Sequence, residues 1–308
     1  MITYKELSSL TNDLGFSARA LYSITHNIHK HYKPVSIPKG NGEMRKLCVP
    51  DKFLKAVQRS IARNLLSYEE ISPYATAYRL CGSTVVNARP HLGAEVILKL
   101  DICHFFDHII YPVVKDKVFP GEKYSEANRV LLTLLCTYRE SIPQGAPTSP
   151  AISNIVMRDF DDTVGVWCED RGICYTRYCD DMTFSGDFSP KEVISFVRTE
   201  LGKKGYFLNN RKKVIAKRGQ KMQVTGIMVN EKLNVPNTYR RKLRQELYYC
   251  RKFGIKSHME KIGVEITEQE YIMKLLGRVN YLLQVTPDDK SAKEAKLWLI
   301  KELKKASL

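Results

Sequence analysis

Residues 173–185 read ICYTRYCDDMTFS, two runs rich in aromatic and β-branched side chains joined across a polar pair. Such runs predict antiparallel strands, and the short interruption predicts a hairpin with Asp180 and Asp181 at its tip. An isolated hairpin is marginal in water, so this segment demands a wider sheet and a covering layer. Adjacent carboxylates at a tip repel each other, and a chain that keeps them has use for a cation. An ordinary acidic turn gives the same string, because Asp is a common turn residue, and the hairpin alone does not separate the two readings.

A third carboxylate separates them. Residues 94–100 (AEVILKL) read as a largely buried strand ending at Asp101, which is well placed to meet a hairpin tip from the same sheet. Three Asp residues from two segments suit a pair of Mg²⁺ ions, hard cations that sit about 3.5–4 Å apart in phosphoryl-transfer sites. Such a pair activates an attacking hydroxyl and steadies a leaving pyrophosphate, so the constellation predicts nucleotidyl transfer.

Charge supports a polyanionic partner: 49 Lys and Arg against 33 Asp and Glu leave a formal +16. The 308 residues, 44% hydrophobic, suffice for a sizeable core. No signal peptide or membrane-spanning run is visible, and the expectation is a cytoplasmic protein that engages no membrane. The eight cysteines are scattered without a CxxC pair or zinc spacing, which reads as reduced thiols. Cys179, inside YCDD, is assigned no chemistry.

Along the chain, residues 4–32 show apolar positions at helical spacing. Residues 35–38 and 44–50 read as a hairpin about the turn signal Asn41-Gly42, and Asp51 as the cap of a helix with its stripe at Leu54, Val57, Ile61 and Leu65. Lys39 and Arg45 stand on that short arm, either as solvated charges or as cations for a triphosphate. Between the Asp segments, IPQGAPTSPAISNI (142–155) makes a constrained loop followed by a helix over 151–165. Gly145 lets backbone approach a ligand, and Gln144 can turn its amide to a base or sugar, although Pro/Gly-rich connectors are common.

The order of these segments resembles a reverse transcriptase. An RKL finger hairpin, a D-x-x-x-[FY]-[FY] strand end, a PQG…SP loop, YxDD and a later basic N-x-x-K segment follow one another between residues 39 and 226. Two further strings, NARPH at 87–91 (NAxxH) and VTG at 224–226, are similar to signatures of bacterial retron reverse transcriptases. Group II intron enzymes carry a maturase region that this chain ends too soon to hold, and diversity-generating enzymes replace the QG string. A polymerase fold that only scaffolds RNA and an effector is the rival of another class; intact carboxylates argue against it.

The resemblance implies an α+β, right-hand polymerase fold: fingers over residues 1–95, a palm over 96–230 with inserted finger helices at about 110–142, and a helical thumb over 231–308. It implies that Asp101, Asp180 and Asp181 are catalytic and bind two Mg²⁺ ions, with the Ile102 backbone carbonyl completing the shell. Phe106 falls at the family's steric gate, which would select dNTPs. Arg45 and Lys39 would clamp the triphosphate, Gln144 and Gly145 would receive the nucleotide, and Lys212 would reach the pyrophosphate, with Arg211 and Lys213 as competitors. Asn87, His91, Val224, Thr225 and Gly226 are expected in RNA recognition. So are Arg240, Arg241, Arg244 and Arg251, on a basic helix whose tyrosines can stack on bases. Partners implied are a cognate structured noncoding RNA, its DNA product and a separate defence effector. The enzyme would start from an internal guanosine 2′-hydroxyl and leave branched RNA–DNA.

Overall fold

The computed structural model describes residues 3–38, 42 and 44–306. In chain order the elements are α1 (Leu7–Leu14), α2 (Ala18–His26), β1 (Tyr32–Pro38), β2 (Met44–Pro50), α3 (Lys52–Asn64), α4 (Thr84–Ala88), β3 (Val96–Asp101), α5 (Tyr111–Lys117), α6 (Glu126–Cys136) and α7 (Ser149–Glu169). There follow β4 (Cys174–Tyr178), β5 (Asp181–Gly186), α8 (Pro190–Gly202), β6 (Val214–Lys217), β7 (Gln223–Val224), β8 (Ile227–Met228), α9 (Asn237–Phe253), α10 (Ile255–Ile262), α11 (Glu268–Val285) and α12 (Lys290–Ala306). The class is α+β, as expected.

The chain divides into two compact units, Met1–Gly82 with Leu98–Ile215 and Ser83–Ile97 with Ala216–Leu308. In the first, a sheet of order β4-β5-β3-β6 has β4 and β5 antiparallel, with Tyr178 opposite Asp181. Helix α7 packs on it through a face that buries Ile152, Val156, Met157, Phe160 and Val164. Phe160 and Phe184 are fully buried in this core, and truncating such a ring costs about 3–5 kcal/mol. Burial of β3, complete but for Lys99, matches the continuous apolar run that predicted it.

The single helix expected over residues 4–32 is two. Gly15 takes a left-handed φ of +73° and closes α1, and the Ser17 hydroxyl accepts the Ala20 N–H to open α2. Apolar periodicity runs across such a break without registering it. The arm formed by β1 and β2 and the Asp51 cap, whose carboxylate accepts the Leu54 N–H at 2.8 Å, stand as read.

The second unit has its own core, in which Val85, Ala88, Val224 and Ile227 are buried along with the inner faces of α9 to α12. A capping box between Thr267 and Glu270 starts α11. Helix α10, eight residues between Gly254 and Gly263, has no counterpart in the sequence reading, although Ile255, Met259 and Ile262 recur at helical spacing. All eight cysteines are free. Among the described residues no helix is long and apolar enough to cross a membrane.

Candidate active site

The hairpin at residues 174–186 turns on two residues, Cys179 and Asp180. The expectation that Asp180 and Asp181 together form the tip is corrected: Asp181 is the first residue of β5, paired with Tyr178, and only Asp180 lies in the turn. Cys179 has φ +63°, a left-handed conformation that costs a residue with a Cβ roughly 1–2 kcal/mol. Two hydrogen bonds to this turn offset that cost: the Tyr78 hydroxyl donates to Cys179 Sγ at 3.4 Å, and Arg177 Nη1 donates to the Cys179 carbonyl at 2.9 Å.

Asp101 ends β3, next to β5, and is 4% exposed. The Asp180 carbonyl accepts the Ile102 N–H at 3.0 Å, which ties the hairpin tip to the strand end that carries Asp101. Ile102 bridges to Leu208 through its neighbours, with Cys103 N donating to Phe207 O and Asn209 N to Asp101 O, both at 2.8 Å. That bridge does not use the Ile102 carbonyl.

Asp181 reaches solvent, yet stands where surrounding protein has displaced much of its water. That desolvation first, then the charges of Asp180 and Asp101, pushes its carboxyl up to about 6. Lys212 Nζ donates to Asp101 Oδ2 at 2.6 Å, a contact that raises the lysine's own pKa against the opposing effect of desolvation. Of the three competing cations of the basic segment, Lys212 is thus the one found on the Asp101 carboxylate. Among the described residues no three His, Cys, Asp or Glu side chains stand at metal-ligand spacing.

A cleft of about 560 Å³ in the same unit is lined by Arg45 and Leu47 of β2, Lys55 and Arg59 of α3, Tyr78, Phe106, and the loop from Gln144 to Pro150. Tyr78 links it to the hairpin through its bond to Cys179. The Gln144 carbonyl accepts the Cys48 N–H at 2.9 Å, so the loop is stitched to the arm. Gly145 has φ +116°, and a Cβ there would stand 3.2 Å from the Cys48 carbonyl oxygen, so conformation and close approach both require glycine. Arg45, Phe106, Gln144 and Gly145 are therefore brought together; Lys39 lies outside the described residues.

Lys55, Arg59 and Tyr78 escaped the sequence reading. The first two were legible as an i, i+4 basic pair on the face of α3 opposite its apolar stripe. Tyr78 carried no signal, because its φ of +58° and its bond to Cys179 arise only in the fold.

In the second unit the NAxxH and VTG strings meet. Val224 pairs with Ile227 across a two-residue turn, in which Thr225 and Gly226 have φ +43° and +83°. Both central residues being left-handed makes this a type I′ turn. Asn87 Nδ2 donates to Thr225 Oγ1 at 3.3 Å, and Thr225 Oγ1 donates to the Thr84 carbonyl at 3.0 Å. Asn87, His91 and Val224 are 1%, 0% and 0% exposed. The side chains of these three are interior, whereas Gly226 is exposed and Thr225 partly so. Burial pushes the His91 imidazole down to about 4, keeping it neutral.

On α9, Arg241, Arg244 and Arg251 are exposed, and Arg251 stacks over Trp298 with its guanidinium 5.1 Å from the ring. Arg240 is half-buried and committed to Asp289 and to Asn234, which accepts at 2.9 Å.

Residues 37–229 match the family model described as reverse transcriptase (RNA-dependent DNA polymerase). Over 249 residues the chain is 28% identical to the Retron Ec86 reverse transcriptase of Escherichia coli, covering 79% of this chain and 77% of that protein. It is 32% identical over 240 residues to the Retron Mx65 reverse transcriptase of Myxococcus xanthus (71% and 56% covered). It is 33% identical over 224 residues to the Retron Ec83 reverse transcriptase of Escherichia coli (67% and 71% covered).

Proposed function

Because the chain belongs to the retron reverse transcriptases, which are RNA-directed DNA polymerases, we propose that it adds dNTPs to a strand templated by RNA at Asp101, Asp180 and Asp181, with two Mg²⁺ ions. One observation carries this reading: the end of β3 and the β4–β5 hairpin bring three carboxylates to one end of a sheet, and Tyr78 connects that end to the cleft.

The donor set fits the metal. Carboxylate oxygens are the hard ligands Mg²⁺ takes, the like charges that raise the Asp181 pKa call for a cation, and Asp101 has already drawn an ammonium onto itself. When bound, Mg²⁺ would make the attacking hydroxyl more acidic and neutralise charge on the triphosphate.

The chain's own residues do the remaining work. Arg45, with Lys55 and Arg59, gives the cleft a cationic wall for phosphate oxygens. Gln144 offers its amide to the base or sugar, and Gly145 lets the loop lie close against the arm. The Phe106 ring takes up the room a ribose 2′-hydroxyl would need. Lys212, bonded to Asp101 and otherwise open to solvent, would meet the pyrophosphate. In the same reading residues 1–95, 96–230 and 231–308 are fingers, palm and thumb, and the exposed arginines of α9 hold nucleic-acid backbone.

The relatives' naming as retron enzymes supports the finer proposal. The polymerase starts from a guanosine 2′-hydroxyl of its own structured noncoding RNA, leaves a branched RNA–DNA product, and acts with a separate effector against phage.

Extension of oligo(dT) on poly(rA) tests the chemistry. Asp180→Asn and Asp181→Asn should each lower the rate by about a thousandfold or more, the loss of several kcal/mol of transition-state stabilisation; undiminished synthesis would sink the assignment. Phe106→Ala should admit ribonucleotides, and unaltered discrimination between dTTP and UTP would count against the gate.

A further inference from the structure

Beneath the hairpin lie a guanidinium and a carboxylate wholly withdrawn from water. Arg177 of β4 and Asp161 of α7 both have 0% side-chain exposure. Arg177 Nε donates to the two Asp161 oxygens at 2.8 and 3.0 Å, and Nη2 donates to Oδ2 at 2.5 Å. Around this fork, Tyr175 donates its hydroxyl to Asp161 Oδ1 at 2.8 Å, and Arg177 Nη2 donates to Asn154 Oδ1 at 3.3 Å. Asn154 in turn donates to the Ala77 carbonyl at 2.8 Å.

Stability does not account for such a pair. Desolvating two charges is costly, and apolar residues of similar volume often make as stable a fold or a more stable one. What apolar residues cannot do is donate the bond that runs from Arg177 Nη1 to the Cys179 carbonyl at 2.9 Å. That carbonyl belongs to the central peptide of the two-residue turn. Cys179 is left-handed and Asp180 is not, the pattern of a type II′ turn. Flipping the central peptide would convert it towards type I′, carry Asp180 to positive φ and swing its carboxylate. The arginine holds the oxygen that such a flip would move.

The other atoms of the turn are held independently. Tyr78 bonds the Cys179 sulfur, and Ile102 N–H bonds the Asp180 carbonyl. Among the described residues Arg177 is the side chain from outside the turn that bonds the carbonyl of the peptide between them, and its own aim is set by the α7 residues Asp161 and Asn154, seven positions apart on one helical face.

We infer that Arg177, aimed by Asp161 and Asn154, is a positioning residue for polymerisation: it locks the Cys179–Asp180 peptide in the orientation that presents the carboxylate pair. The inference rests on the proposed role of that pair. A buried ion pair retained for geometry predicts that charge-free, volume-matched replacement spares the fold and harms turnover.

The test is the double variant Arg177→Met/Asp161→Leu, assayed by extension of oligo(dT) on poly(rA) with dTTP, beside its thermal unfolding. The expected result is a melting temperature equal to or above that of the parent, KM for dTTP within about twofold, a fall in kcat of at least about tenfold and a raised Mg²⁺ half-saturation. Parental kcat in the folded double variant overturns the inference, as does a kcat loss that only follows lost stability. If the double variant does not fold, Arg177→Lys keeps the charge opposite Asp161 but gives up the fork. It should lose turnover at an unchanged melting temperature, and full activity would overturn the positioning role. Asp180→Asn in the same assay separates the two levels: an active Asp180→Asn removes the catalytic reading itself, whereas an inactive one beside an active double variant removes only the role of Arg177.

Discussion

Two hairpins of this chain turn on two residues whose first member is left-handed without being glycine: Cys179 at +63° and Thr225 at +43°. Each is stapled by side chains remote in sequence, Tyr78 to the first and Asn87 to the second. Their surroundings differ. The YCDD turn sets carboxylates beside one another in partly desolvated ground, so that one of them is pushed up to about 6. The VTG turn places a neutral hydroxyl between a buried amide and a backbone carbonyl, in the same unit as a histidine kept uncharged by burial. One local device thus serves opposite ends. Where strain and repulsion are tolerated, the turn is there to present charge to something else. Where the hydroxyl is answered by an amide and a carbonyl of its own unit, the turn ties that unit together.

The sharpest break between the two should come from the carboxylates. Asp181→Asn ought to abolish synthesis while leaving the melting temperature at pH 7 the same or higher. The sign follows from linkage: a carboxyl whose folded pKa lies above its unfolded value binds more protons when folded, so its ionised form opposes folding above about pH 6. A melting temperature lowered by several degrees would place Asp181 among the structural residues instead.

Next in size is the response of His91 to acid. Its folded pKa, near 4, lies below the ordinary 6.5, so the stability it contributes is complete above pH 6.5 and is lost as pH falls towards 4, by roughly 3 kcal/mol in all. Unfolding by denaturant at pH 7, 6, 5 and 4 should show this slope, and His91→Gln should flatten it; an unchanged slope would refute the burial argument.

Asn87→Ala, which removes a donor to Thr225 in a closed environment, should destabilise by about 1–3 kcal/mol and leave extension of oligo(dT) on poly(rA) at its parental rate. A large loss on that simple template would show that the VTG knot serves the chemistry directly. The smallest effect belongs to Cys179→Ala, which keeps the left-handed strain and removes only a weak bond to sulfur. Stability should change by no more than about 1 kcal/mol and turnover by no more than about twofold, and a large change would give Cys179 a role that neither its position nor its buried, hard-to-ionise thiol suggests.

Much of the first hairpin's company was visible in the chain itself. The burial of β3 follows from the run 94–100, the Asp51 cap from its place before a stripe, and the loop at 142–155 from its prolines. Those features depend on neighbours within a few residues, which pattern and propensity report. The break at Gly15 and the shift of Asp181 out of the tip and into a strand were not visible. Each depends on where a chain direction points after several turns, and a residue's offset by one decides it.

By itself the sequence determined the class of chemistry, because three carboxylates at strand ends, a constrained QG loop and a strongly basic balance have few joint uses and were set down in an ordered series. Only the tertiary structure decided which atoms hold that chemistry in place. Arg177 looks like any strand arginine until Asp161 and Asn154 arrive from α7, and Asn87 like any helix residue until Thr225 arrives from 138 positions away. Hydrogen bonds of buried groups are satisfied by whatever the fold brings near, and the fold brings near what the chain keeps far apart.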